Sequence, residues 1–207
     1  DKTLLDASSG ILFVKYLWRQ RAVSLREMLI VFGTSLEYTL NRMDFPKAMA
    51  RMSSAIRGGH AADLKTLCDQ WFHDELKAHI APRAVARARE HQSQGDVVVL
   101  LSASTQYAVR PVAEHLGIEY GCTELEIADG ALTGGLVGEP CYGEGKLIWG
   151  RRIAERHGFA LDECWFYTDS ASDLPLAEVI GHPVAVNPDA KLKTVARKRG
   201  WPIERFY

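Results

Sequence analysis

The chain has 207 residues, 25 basic and 26 acidic side chains and a formal net charge of -1, which fits one domain with a sizeable insertion and excludes a nucleic-acid surface built from bulk charge. Its four cysteines, Cys68, Cys122, Cys141 and Cys164, form no Cys-x-x-Cys pair, so neither a zinc knuckle nor a disulfide framework is expected and the compartment reads as reducing and cytoplasmic. The most apolar stretches, residues 11–18 and 28–32, are interrupted by polar residues long before the ~20 apolar residues that a membrane-spanning helix needs.

From about residue 7 to 90 the periodicity is helical. Leu12, Tyr16 and Leu17, then Leu25, Met28, Leu29, Phe32 and Leu36, then Ala61, Leu64, Leu67, Cys68 and Trp71 recur at three and four. Gly58-Gly59 breaks the run, and Pro46 fits the first turn of a helix just after Asp44 in capping position. The pattern changes at Gln94-Gly95-Asp96. Val97-Val98-Val99-Leu100-Leu101 is an apolar run without a polar face, as in a strand covered by helices on both sides. A helix over 106–116, stopped by Gly117, follows, and Asp129-Gly130 between alternating residues predicts a hairpin. A second cycle runs through a helix at 146–157, Gly158, a strand at 164–168 and a short helix at 174–179. A strand at 184–186, Asn187-Pro188 and a last helix complete it. This alternation predicts an α/β fold, a Rossmann-like, mostly parallel sheet sandwiched by helices, with an inserted all-helical cap. Residues 1–7 and 91–207 form the expected core and residues 8–90 the expected cap, placed where a lid would lie.

In an open parallel sheet, ligands bind beyond the carboxyl ends of the strands. Three places qualify: Ser102-Ala103-Ser104-Thr105 after Leu101, Asp169 to Asp173 with Ser170 and Ser172 between, and Lys146 after Gly143-Glu144-Gly145. Hydroxyls at a helix N-terminus bind a phosphate oxygen, a lysine neutralises further charge, and paired carboxylates hold a hard divalent cation, here magnesium. Taken singly, each piece also reads as a helix cap, an acidic turn or a surface lysine; their joint order favours a site. The basic run Lys191, Lys193, Arg197, Lys198 and Arg199 reads as a solvated helix face.

These residues together resemble the phosphoserine-phosphatase-like branch of the haloacid dehalogenase superfamily, over essentially the whole chain. Asp169-Ser170-Ala171-Ser172-Asp173-Leu174-Pro175-Leu176, followed by Gly181-His182 and Asn187-Pro188, carries the most specific part of the likeness. Leu101-Ser102 supports it, and Asp1-Lys2-Thr3 matches the last three positions of that superfamily's Asp-x-Asp-x-Thr loop. The resemblance implies two-step phosphoryl transfer. A nucleophilic aspartate would lie two positions upstream of Asp1, at the end of a central strand. Asp1 would be the general acid and base, and Thr3 would orient the loop. Magnesium would be held by that aspartate, the Asp1 carbonyl and Asp169, with Asp173 steadying its waters or Lys146. Ser102, the Ala103 amide and Lys146 would hold the phosphate oxygens.

The implied substrate is a small phosphomonoester such as phosphoserine or histidinol phosphate, chosen by the cap, where Arg42, Arg51 and Arg57 are candidate anion contacts. Alternatives are a lipid phosphate such as phosphatidylglycerol phosphate, with the apolar residues 11–40 on a membrane rather than in the cap's own core, and a catalytically inactive scaffold of the same fold. The residue two positions before Asp1 separates the scaffold from the enzyme. Oligomeric state is not legible in the sequence.

Overall fold

A computed structural model describes residues 1–21 and 45–207. The predicted helical residues 25–36, Arg42 and the Asp44 cap lie outside the described residues.

The α/β part alternates as predicted. Strand β1 (Val99–Thr105) leads through a helix, Gln106–Leu116, into β2 (Glu119–Thr123), which runs parallel to it. After the hairpin β3 (Leu125–Ala128) and β4 (Ala131–Leu136), a helix at Glu144–His157 leads to β5 (Trp165–Thr168), which pairs in parallel with β6 (His182–Val186). A final helix, Ala190–Arg199, returns the chain to β7 (Ile203–Glu204), parallel to β6. The hairpin turn is the expected one, with both Asp129 and Gly130 at positive φ, 51° and 77°. Pro183 lies in the middle strand of three, a place that usually rejects proline. The register removes the conflict: Ala185 and Asn187 donate towards the β7 side, and Pro183 stands two residues before β7 begins on that side.

Among the described residues the parallel strands form two ladders, β1–β2 and β5–β6–β7, with no pairing between β1 and β5. Strand β1 departs from prediction. It starts two residues later than Val97 and runs through the hydroxyl segment to Thr105, because β2 offers partners that far: Ser102 pairs with Cys122 and Thr105 with Thr123. The register shifts between them, so Ala103 and Ser104 form a bulge rather than a loop after the strand.

The insertion contributes α1 (Ser9–Arg19), α2 (Phe45–Ala55) and α3 (Ala61–Asp74). Its two ends meet at a neck, where Leu5 bridges Ile80, the Asp6 amide donates to the His79 carbonyl and the Ala81 amide donates to Leu4. The neck therefore closes near residue 79, and residue 90 falls inside the next helix, α4 (Pro82–Ser93). That helix belongs to the core layer: Ala81 and Ala84 pack with Val184, Val186 and Phe206. Amphipathic spacing marks an apolar face but not the neighbour that covers it. Above the neck, Tyr16, Trp71, Phe72 and Leu76 share one apolar cluster with Val112 and Leu116 of the Gln106–Leu116 helix, α5. The hairpin also joins the insertion, since Gly58 and Gly59 exchange hydrogen bonds with Leu132 and the Ala61 amide donates to Gly130. Among the described residues, further α-helices are α6 (Glu144–His157), α7 (Leu174–Ala177) and α8 (Ala190–Arg199).

Candidate active site

The acidic turn after β5 is organised around one buried cation. Lys146, 7% exposed in the first turn of α6, donates from Nζ to Asp173 Oδ2 at 2.7 Å, and Asp173 is itself 5% exposed. The same Oδ2 accepts from Thr168 Oγ1 at 2.7 Å, and Ser172 Oγ lies 3.4 Å from Oδ1. Burial alone would lower the ammonium's pKa, but the charge and hydrogen bond of Asp173, with the charge of Asp169, outweigh it and hold Lys146 above the ordinary lysine value. Lys146 therefore sits as a buried cation paired with Asp173. The approach of α6 depends on Gly145, where a Cβ would sit 2.0 Å from the Pro140 carbonyl oxygen, so no other residue fits this turn.

Asp169 is held differently. Its Oδ1 accepts from Thr3 Oγ1 at 3.1 Å, and its carbonyl accepts the Asp189 amide at 2.8 Å. Burial pushes its carboxyl above the usual carboxylate range. The Thr3 bond and Lys146 pull it back, while Asp173 adds to the rise. Thr3 thus ties the Asp1-Lys2-Thr3 turn to Asp169, and the Asp1 carbonyl accepts the Thr3 amide at 2.6 Å.

Ser102 reaches the same region through Cys141. The Ser102 backbone hydrogen-bonds the Cys141 sulfur, which also feels the charges of Lys146 and Asp173, and the Cys141 amide donates to Thr123 Oγ1 at 3.0 Å. Ser102 Oγ accepts the Ser104 amide at 3.1 Å, which shapes the bulge that carries Ala103. The structure thus gathers Thr3, Asp169, Asp173 and Lys146 through direct contacts, with the Asp1 backbone alongside and Ser102 attached through Cys141. The arginines are not gathered. Arg51 and Arg57 are exposed, and Arg57 Nε donates to the Thr133 carbonyl in the hairpin. The basic residues of α8 lie on a largely exposed face, with Arg199 paired to Glu178.

Three contributors were not singled out from the sequence. Thr168 reads as the last residue of a strand. Tyr142, whose hydroxyl bonds Ser172, reads as part of a loop. Asp189 caps α8 through the Leu192 amide at 2.7 Å and also accepts the Ala171 amide at 2.8 Å, which ties the acidic turn to the segment after β6. An aspartate directly before a helix is a visible cap signal; its second bond, to a residue 18 positions away, is not.

Among the described residues no cluster of three or more His, Cys, Asp or Glu side chains is assembled for a metal. The donor set that is present suits a hard cation. Asp169 is a partly buried carboxylate whose Oδ1 accepts from Thr3, the residue whose amide is bonded to the Asp1 carbonyl. Asp173 spends its Oδ2 on Lys146 and Thr168, which leaves Oδ1, 3.4 Å from Ser172 Oγ, facing the rest of the turn.

A parallel α/β sheet with carboxylates and a buried lysine beyond its strand ends defines a hydrolase-type anion site. The profile of the haloacid dehalogenase-like hydrolases matches residues 1–178, and the chain belongs to that family. It is 31% identical over 210–211 residues to proteins of Mycobacterium tuberculosis that include a phosphoserine phosphatase, of which it spans 68% while the match covers 100% of this chain. A histidinol-phosphatase of Neisseria meningitidis is 36% identical over 145 residues, 65% of each protein. Among solved structures, a Bordetella pertussis protein of unknown function superposes with a TM-score of 0.89 at 27% identity, covering 100% of this chain and 96% of that one. A substrate-bound phosphoserine phosphatase, at 20% identity, shares the fold with a TM-score of 0.72 over 100% of this chain and 90% of that one.

Among the described residues no helix is long and apolar enough to cross a membrane.

Proposed function

We propose that the protein hydrolyses a small phosphomonoester with magnesium, through an aspartyl phosphate formed on an aspartate two positions upstream of Asp1. The observation that carries this reading is the buried Lys146–Asp173 pair set beside Asp169, Thr3 and the Asp1 backbone: a fixed positive charge and a cation-seeking carboxylate at one end of the sheet.

In this reading Lys146, Ser102 and Ala103 hold the equatorial phosphate oxygens, where charge accumulates as the bond to the leaving group breaks. The upstream carboxylate attacks phosphorus while Asp1 gives its proton to the departing alkoxide, so the products are the free alcohol and an acyl phosphate. Asp1 then takes a proton from water, whose oxygen attacks phosphorus and frees the aspartate and inorganic phosphate. Thr3 orients Asp169, and Asp173 keeps Lys146 in place. Magnesium, held by the upstream aspartate, the Asp1 carbonyl and Asp169, would supply charge neutralisation on the phosphate. The substrate is an amino-acid-like phosphate of the kind named for the relatives, phosphoserine or histidinol phosphate.

The test is phosphate release by the full-length protein from a panel of phosphomonoesters with magnesium present. Release that is lost on chelation and on Asp169→Asn is expected. A panel that includes both named substrates and gives no release overturns the reading.

A further inference from the structure

The Asp1-Lys2-Thr3 turn is an unfavourable piece of backbone. Lys2 has φ of 52°, a conformation that costs any residue with a Cβ, and the Thr3 amide folds back onto the Asp1 carbonyl to close a three-residue turn. Something outside the turn must hold it, and the contacts come from the far end of the chain. The Lys2 carbonyl accepts Asn187 Nδ2 at 2.9 Å and the Tyr207 hydroxyl at 3.1 Å, across 185 and 205 residues of sequence.

Asn187 is itself at positive φ, 43°, directly after β6. Its side chain is fully committed. While Nδ2 holds Lys2, Oδ1 accepts the Phe206 amide at 3.2 Å, and the Asn187 amide donates to the Glu204 carbonyl at 3.0 Å. One asparagine therefore welds the turn to the end of β6 and to the chain's last residues. Two positions on, Asp189 does the same for the other acidic loop, through the Asp169 carbonyl and the Ala171 amide. Residues 187–189 consequently set the positions of both loops relative to one another.

We infer that Asn187, assisted by the Tyr207 hydroxyl, is a positioning residue for catalysis: by fixing the Lys2 carbonyl it aims Asp1 and Thr3 at the acidic turn. Neither side chain contacts the acidic residues directly in the hydrogen bonds of this structure, so both act through the turn. This inference rests on the phosphatase reading for its kinetic consequence, but not for its structural one.

The test uses the full-length protein with Asn187→Gly and Tyr207→Phe. Glycine accepts the positive φ at 187, so the first variant removes the side-chain contacts without adding backbone strain. Tyr207 is 52% exposed, so the second removes one hydroxyl at little risk to folding. Hydrogen exchange of the amides of residues 1–5 and steady-state hydrolysis of p-nitrophenyl phosphate with magnesium are measured together. Asn187→Gly is expected to speed exchange in residues 1–5 about tenfold while β6 stays protected, and to lower kcat about tenfold with KM within twofold; Tyr207→Phe moves both in the same direction by about threefold. Unchanged exchange in residues 1–5 in both variants overturns the inference, as does a kcat within twofold of the parent in both. If Asn187→Gly does not fold, Tyr207→Phe decides by the same measures. If the parent protein hydrolyses nothing, the phosphatase reading fails, and the exchange data alone decide whether Asn187 and Tyr207 hold the turn.

Discussion

The base of the helical insertion and the acidic end of the parallel sheet are fastened by opposite means. At the base, Trp71, Phe72 and Leu76 bury apolar surface against Tyr16, Val112 and Leu116, with Phe13 against the Trp71 ring at 4.9 Å between centroids. Each such side chain stabilises the fold by about 1.5–3 kcal/mol, and the attraction has little directional demand. At the acidic end, Lys146, Asp173 and Thr168 are buried with their bonds made, yet the attraction between the charges is largely offset by the cost of taking them out of water. Stability and precision are thus supplied by different parts of the molecule: the neck keeps the chain folded, and the ion pair places a charge.

Substitutions can break this division, and the largest effect on stability is expected at the base. Trp71→Ala should lower unfolding free energy by about 3–5 kcal/mol in chemical denaturation, with hydrolysis per folded molecule retained at low temperature. Loss of activity without loss of stability would show that the base also shapes the site. Lys146→Ala should cost about 3 kcal/mol, because it leaves the Asp173 carboxylate buried without its cation. Replacing both partners, Lys146→Met with Asp173→Leu, should restore most of that stability while hydrolysis stays absent. A double variant as unstable as the single one would mean that the pair stabilises the fold in its own right. Asp169→Asn should barely move the denaturation midpoint, or raise it, since burial already disfavours the charged carboxyl and the amide oxygen can still accept from Thr3. Its hydrolysis should fall about 10²–10³-fold, the scale of a lost electrostatic contact to the transition state.

The two regions also differed in how far the sequence revealed them. The apolar periodicity of residues 61–71 pointed to a buried helix face, and the structure buries Cys68 and Trp71 as expected. The partner of that face, α5 of the core, could not be read, and neither could the allegiance of α4, because a helix's own pattern does not name its neighbour. At the acidic end, residue types and their place after apolar runs were enough to bring Ser102, Lys146, Asp169 and Asp173 forward. Strand β2 escaped notice, since Glu119-Tyr120-Gly121-Cys122-Thr123 has neither alternation nor an apolar run and is a strand only because β1 lies beside it. The same holds for Asn187 and Tyr207, whose shared contact at Lys2 lies about 200 residues away in sequence and has no local signature.

The buried cysteines offer a probe that leaves stability almost untouched. Burial pushes Cys68, in the insertion base, and Cys122, in β2, up to about 12, and Cys141, beside Lys146, up to about 11, so at pH 8 each is overwhelmingly a thiol and inert in the folded state. Cys164 is raised too, but it is half-buried, and alkylation of the native protein at that pH should mark it first. Reaction also requires the reagent to enter. In sub-denaturing urea at pH 8 that entry depends on local opening. The order of labelling then compares the two regions directly, read by mass spectrometry of the digested protein. Cys141 is held by hydrogen bonds to Thr123 Oγ1 and the Gly121 carbonyl of β2, whereas Cys68 lies in an apolar cluster with Tyr107, Leu125 and Leu132 that opens only when the insertion separates from its support. Cys141 should therefore label at lower urea than Cys68. The reverse order would place the weaker seam at the neck and would make the insertion, rather than the acidic end, the first part of the molecule to open.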